Sequence, residues 1–325
     1  MDKTTSFQQL TPDIILPCVE QHCGVRLQAV ITPYNSYINR VYGLEDEDGE
    51  RYIVKFYRPQ RWSAEGILDE HRFLLQCSQA DIPVIPPLVQ RDDSTLGEVG
   101  GILFAVFPHR AGRTFDITSD HDWIRLGSII GRIHQVGKKE PARHRTMCSP
   151  AATTENYCRQ LAAQDLIPPD CTDDFLSVCE QTLSLISPLF ESAESMRIHG
   201  DCHRGNILDR LEQGLIVLDF DDMMMGPAVQ DLWLLLPGHL SDCRREMDLL
   251  LEGYTRFIDF DTATLELIEP LRFMRIIYFL TWSAMQAQDY NFAQNFSEWG
   301  SKAFWIKETE DLNDQLTQIR EHLSA

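Results

Sequence analysis

The hydrophobic period of this chain differs between its first third and the rest, and that difference limits what the chain can build. Up to about residue 114 the apolar runs are short, rich in Val, Ile and Tyr, and punctuated by turn residues; from Ser119 onward the period is helical almost throughout. A short helix is expected from Thr11-Pro12 to about Cys23. Val25 to Pro33, Ile38 to Leu44 and Arg51 to Tyr57 then read as strands, the last two joined by the acidic turn "EDEDGE". A helix follows from Ser63 to about Gln79, with Ser63 as cap and Glu65 placed to suit the helix dipole. "PVIPPLVQ" and "GILFAVFPHRAGRTF" read as two further strands. In the helical part only "NIL" and "LIVLDF", around a turn at Glu212 to Gly214, break the pattern, and long amphipathic segments resume at Val229. The expected class is α+β: a small antiparallel β-rich N-terminal lobe, residues 1–109, and a larger mainly helical lobe, residues 110–325.

Composition narrows the partners. A chain of 325 residues with 43% hydrophobic and 24% charged residues supports real cores, and a net charge of −20 opposes a broad surface for nucleic acid or anionic lipid. The start "MDKTTSFQQL" lacks the basic and apolar regions of an export signal, and no apolar run approaches a membrane span. The nine cysteines are scattered without a C-x-x-C. A cytoplasmic, monomeric protein with no nucleic-acid partner and no membrane insertion is the expectation.

The stretch "RIHGDCHRGNILDRLEQGLIVLDFDD" sets aspartates among apolar residues. Turns would explain single cases. The spacing explains more: Asp201 and Asn206 stand as D-x-x-x-x-N, and Asp219 closes the strand "LIVLD" eighteen positions after Asp201. Phosphoryl transfer needs a group to orient the acceptor hydroxyl and hard oxygen ligands for magnesium, and these three residues supply both. Asp219 serves twice, as catalytic carboxylate and as metal ligand. Asp221 and Asp222 read as supporting residues, His199 as a brace for the loop, and Asp209 as a turn.

Such chemistry also needs a lysine for the phosphates. Lys55 in "RYIVKFY" is a lysine on an apolar strand, and burying it alone would be costly. Glu70 shares a helix face with Ile67, Phe73, Leu74 and Cys77, so it is the expected counterion, whereas Asp69 falls on the polar face. No G-x-G-x-x-G occurs; "PYNSYINRVY" stands in its place, with Asn35 and Ser36 able to meet phosphate oxygens. Backbone around Phe107 to His109, in "VFPHRAG", is the expected adenine contact.

Lys55, Glu70, "HGDCHRGN" and "VLDFDD", in this order, resemble the aminoglycoside phosphotransferase and choline kinase-like superfamily, where "HGD" replaces the "HRD" of ordinary protein kinases. "TPYNSYINRVY", "VKFYRPQRW", "GPAVQDLW" and "IEPLRFMRIIYFL" narrow the resemblance to the stress response kinase A group, the YihE/RdoA-type serine/threonine protein kinases. The resemblance implies a bilobal protein-kinase-like fold, with nucleotide bound by the N-terminal lobe. It implies Asp201 as proton acceptor, Asn206 and Asp219 as magnesium ligands, Ser36 and Lys55 at ATP, and Asp231 as anchor of the catalytic loop. It further implies phosphorylation of protein serine or threonine, including the enzyme itself, in the response to envelope and oxidative stress. A small-molecule kinase of the aminoglycoside, choline or homoserine type would use the same triad. A non-catalytic nucleotide-binding regulator is the other alternative.

Overall fold

In the computed structural model, Thr32–Tyr34 (β1), Arg40–Glu45 (β2), Arg51–Phe56 (β3), Gly97–Val99 (β4) and Ile102–Pro108 (β5) form an antiparallel sheet in the order β1-β2-β3-β5-β4. The structure describes residues 7–36, 38–90, 93–163, 166–287, 292, 296 and 298–324. Alternation along β3 sends Val54 and Phe56 into a core with Leu44, Ile102, Phe104 and Val106, onto which Pro12–Cys23 (α1) adds Ile15 and Val19. Lys55 therefore faces the other way. It lies in register between Val41 and Ala105, and Ala105 packs with Tyr57 and Ile67 on that side.

Local chemistry sets the helix ends. α1 begins on Pro12 and stops at Gly24, whose φ of 69° is the left-handed cap. Ala64–Gln79 (α2) starts where Ser63 Oγ accepts the Gly66 N–H at 3.1 Å. Two strand expectations need correction. Of Val25 to Pro33 only Thr32 and Pro33 join the sheet, in a strand that runs on to Tyr34, with an isolated bridge from Leu27 to Asp46. "PVIPPLVQ" forms no strand: Pro83, Pro86 and Pro87 cannot donate to a ladder, and the segment makes single bonds, Val217 N–H to the Pro83 carbonyl and Leu88 N–H to the Val106 carbonyl.

Contacts gather the chain into two compact units. The first comprises Met1–Asp116, Ala142–Arg145 and His203–Met223. It therefore includes a second small sheet, in which Ile207–Asp209 (β8) pairs with Arg113–Thr114 (β6) and with Leu215–Val217 (β9). Its two later strands fall on the expected "NIL" and "LIVLDF" runs, the first shifted by one residue and the second ending at Val217, before Asp219 turns to a left-handed φ.

The second unit comprises Ile117–Pro141, Thr146–Cys202 and Met224–Ala325. Its helices are Asp120–Gly137 (α3), Glu155–Ala163 (α4), Pro169–Ile186 (α5), Val229–Trp233 (α6), Arg244–Tyr254 (α7), Ile268–Gln286 (α8) and Lys302–Ser324 (α9). α3 and α7 touch backbone to backbone. A Cβ on Gly127 would stand 1.9 Å from the Leu250 carbonyl oxygen, and one on Gly253 would stand 2.0 Å from that of Ile124. Met196–Ile198 (β7) and Met224–Gly226 (β10) form a short antiparallel ladder too brief to leave a period in the sequence. Arg197 on β7 is buried and caps the end of α3, donating to the Val136 carbonyl at 2.9 Å. At the far end Trp305 of α9 packs edge-on to Phe175 of α5. Among the described residues no helix is long and apolar enough to cross a membrane.

Candidate active site

In the first unit the sequence candidates converge on Lys55. Its ammonium lies 3.2 Å from Asp219 and 3.1 Å from Asp221. The two carboxylates differ in exposure: the Asp219 side chain is 58% accessible and that of Asp221 only 8%. Asp219 can meet a ligand; Asp221 is a counterion. Asp221 is encircled by cations and donors, with Arg61 at 3.4 Å and the Asn39 amide donating at 3.3 Å. Burial pushes the Asp221 carboxyl up, but Lys55, Arg61 and Arg145 overturn this and hold it well below the usual carboxylate range. Burial likewise works against the Lys55 charge, and Asp221, Asp219 and Glu70 outweigh it, holding the ammonium well above its ordinary range.

Glu70 is buried close to this cluster, yet its direct partner is not the lysine. Arg145 takes it at 2.7 Å, donates also to the Asp221 and Gly66 carbonyls at 2.8 Å each, and lies 4.1 Å over the Trp62 ring. The reason is local supply: Lys55 already has two acids, and Glu70 acts on it through space. Burial raises the Glu70 carboxyl, and Lys55 and Arg145 offset part of the rise. Asp69 is buried too, rather than on a polar face, because its Oδ2 accepts the His144 N–H at 2.8 Å.

The β8–β9 hairpin brings Asn206 and Asp219 to one end. Ile207 pairs with Val217, and the Leu218 N–H donates to the Asn206 carbonyl at 2.8 Å. Asp219 holds φ at 56°, a left-handed conformation that aspartate tolerates better than most residues and that often marks a working position. One accessible carboxylate and one side-chain amide fit magnesium, a hard cation that keeps waters and phosphate oxygens as its other ligands. Asp209 makes the expected turn, accepting the Leu211 N–H at 2.8 Å.

Ser36 stands half-buried at the β1–β2 connection, where its Oγ accepts the Asn39 N–H at 3.3 Å. Asn39 in turn accepts the Arg58 N–H at 3.0 Å, tying "NSYINR" to "VKFYRPQRW". Phe107 lies in β5 opposite Ile53, and the His109 N–H is spent on the Arg51 carbonyl at 2.9 Å, which removes that donor from ligand binding.

Asp201 belongs to the second unit, where the "HGD" loop hangs from Asp231. One Asp231 oxygen accepts the His199 N–H at 2.7 Å and His134 Nε2 at 2.9 Å; the other accepts the Gly200 N–H at 2.8 Å. Gly200 has φ of 84°, so a glycine is required between His199 and Asp201. The Asp201 N–H donates to His199 Nδ1 at 3.2 Å, and the Asp201 carboxylate is met by Arg275 of α8 at 2.7 Å. Cys202 is buried, and burial with Asp231 and Asp201 pushes its thiol well above the ordinary range, which disfavours the thiolate.

Asp221 was visible in the sequence only as a supporting acid, and the cost of burying Lys55 is the signal that could have promoted it. Arg145, His134 and Arg275 leave no such signal.

A sheet-bearing unit with a buried lysine facing an accessible carboxylate, and a helical unit bearing "HGD", define a phosphotransferase fold: residues 30–268 match the phosphotransferase enzyme family, and the chain belongs to it. Within that family it is 39% identical over 321 residues to stress response kinase A of Escherichia coli (strain K12), covering 97% of this chain and 95% of that one. It is 36% identical to serine/threonine protein kinase RdoA of Salmonella typhimurium (strain LT2), covering 98% and 97%. Among solved structures, amicoumacin kinase in complex with AMP-PNP and Ca2+ aligns with a TM-score of 0.71 at 22% identity, covering 92% of this chain and 93% of that one. Choline kinase LicA from Streptococcus pneumoniae aligns with 0.65 at 14% identity, covering 94% and 98%. At those identities the likeness is one of fold.

Proposed function

We propose that this chain is an ATP- and magnesium-dependent kinase that transfers the γ-phosphoryl group to serine or threonine hydroxyls of proteins, itself included. The observation that carries the reading is the Lys55–Asp219 pair at the end of the hairpin that also bears Asn206. Residues 1–109 serve as the nucleotide lobe and residues 110–325 as the catalytic and substrate lobe. Lys55, kept charged by Asp221, neutralises phosphate oxygens, and Ser36 offers polar groups at the β1–β2 connection.

Asn206 and Asp219 would hold magnesium, which when bound draws charge from the phosphate oxygens. Asp201, its backbone fixed through Asp231 and Gly200, orients the acceptor hydroxyl and takes its proton. Glu70 supports the lysine electrostatically while clamped by Arg145. The kinase names of the near-full-length relatives support the protein-acceptor reading. Incubation of the purified chain with magnesium and labelled ATP tests it, offering generic proteins against a panel of amino alcohols, sugars and aminoglycosides. Label on protein, including the chain itself, is expected; label on a small alcohol alone sinks the protein-acceptor reading.

A further inference from the structure

The Arg275–Asp201 contact gives the acceptor end of the reaction a chemical character of its own. Arg275 sits on α8, a helix held by Leu271, Met274, Ile277, Leu280 and Thr281 on its buried side. Its guanidinium touches the Asp201 carboxylate at 2.7 Å and lies 5.4 Å from the Tyr278 ring. The same helix face then continues as an aromatic and apolar strip. Phe279 is 46% accessible and stacks on Trp282 with centroids 5.7 Å apart, and Met285, one turn further on, is 59% accessible.

From Arg275 to Met285 the helix rises about 15 Å, at ~1.5 Å per residue. A small alcohol held at Asp201 would touch only the first turn of that strip. An extended peptide advances about 3.3 Å per residue, so some four or five residues span it. The charge argues in the same direction. A guanidinium beside Asp201 opposes an acceptor bearing an ammonium group, and its five N–H donors suit an acceptor carrying a carboxylate near the hydroxyl.

We propose that Arg275 and the strip Phe279, Trp282 and Met285 form the acceptor-binding surface, taking an extended polypeptide with an acidic residue beside the acceptor hydroxyl and an apolar residue about four positions away. This rests on the reading of Asp201 as the group that meets the acceptor.

The test uses the full chain with magnesium and labelled ATP on arrays of serine-centred peptides. Wild-type enzyme is expected to prefer an acidic neighbour and a distant apolar residue. Phe279→Ala and Met285→Ala, both at accessible positions, are expected to raise the peptide KM about tenfold, a loss of one good apolar contact, with kcat and the ATP KM within about twofold. Arg275→Gln is expected to erase the acidic preference and Arg275→Lys to keep part of it. Peptide transfer with flat positional preference, or with peptide KM unchanged in Phe279→Ala and Met285→Ala, overturns the surface while leaving the protein kinase reading intact. Transfer to an amino alcohol or sugar with none to any peptide overturns both.

Discussion

The two units handle charge in opposite ways. The first buries it: Lys55, Asp221, Glu70, Arg145 and Arg61 form a network of ion pairs in which nearly every charge is offset and one carboxylate, Asp219, stays accessible. The second keeps its central acid, Asp231, in backbone and histidine hydrogen bonds, and uses it to fix the shape of a loop. The contrast suits the proposed roles: a site for polyanionic phosphate needs permanent counter-charge, whereas a site for a neutral hydroxyl needs position. The contrast therefore predicts different failures when each is damaged.

The largest effect is expected in the second unit. Asp201→Asn removes the carboxylate proposed to accept the proton and should lower transfer about 10²–10⁴-fold while nucleotide binding persists. Transfer within a few-fold of wild type would sink the assignment. Lys55→Ala takes the nearest cation from the buried Asp221, leaving it Arg61 and Asn39, and should cost about 1–3 kcal/mol of folding stability, together with a raised ATP requirement. A wild-type urea midpoint and ATP KM would mean that the network does not depend on its lysine. Asp231→Asn keeps one acceptor oxygen for three donors and should cost about 1–3 kcal/mol, with kcat falling while the ATP KM holds. A change confined to the ATP KM would erase the contrast between the units.

The smallest effect is a pH dependence in the first unit. His71 is buried between Tyr57 and Thr95, and burial, with Lys55 and Arg145, drives its pKa from 6.5 down to about 3. The unfolded chain binds a proton below 6.5 that the folded chain refuses, so stability should fall from about pH 6.5 toward about pH 3 and then level. The slope is about 1.4 kcal/mol per pH unit at most. Thermal melting of His71→Asn should lose that slope; identical slopes in both proteins would remove His71 as its source.

Much of this was legible in the sequence because it was local. Ser63 capping α2, Lys55 on an apolar strand, and the hairpin carrying Asn206 and Asp219 each depend on neighbours within a turn or a strand. What escaped depends on distance. Asn39 meets Asp221 across 182 positions and Arg145 meets Glu70 across 75, and a lone arginine in a loop looks the same whether it is solvated or locked. Glu70 shows the mechanism of the error: its helix face was right, but periodicity reports burial and not which cation waits there. The prolines of "PVIPPLVQ" were a local signal outweighed by its apolar residues.

The contact of α3 with α7 acts as a gauge block. His134 on α3 and Tyr254 on α7 are hydrogen-bonded at 3.0 Å, and His134 passes that placement to Asp231 and so to the loop holding Asp201. At Gly127 and Gly253 the two helices meet backbone against backbone, so at those two positions a side chain has no room. One added methyl on either glycine must push the two backbones apart, and the displacement would be carried through His134 and Asp231 to the Asp201 carboxylate, which the methyl never touches.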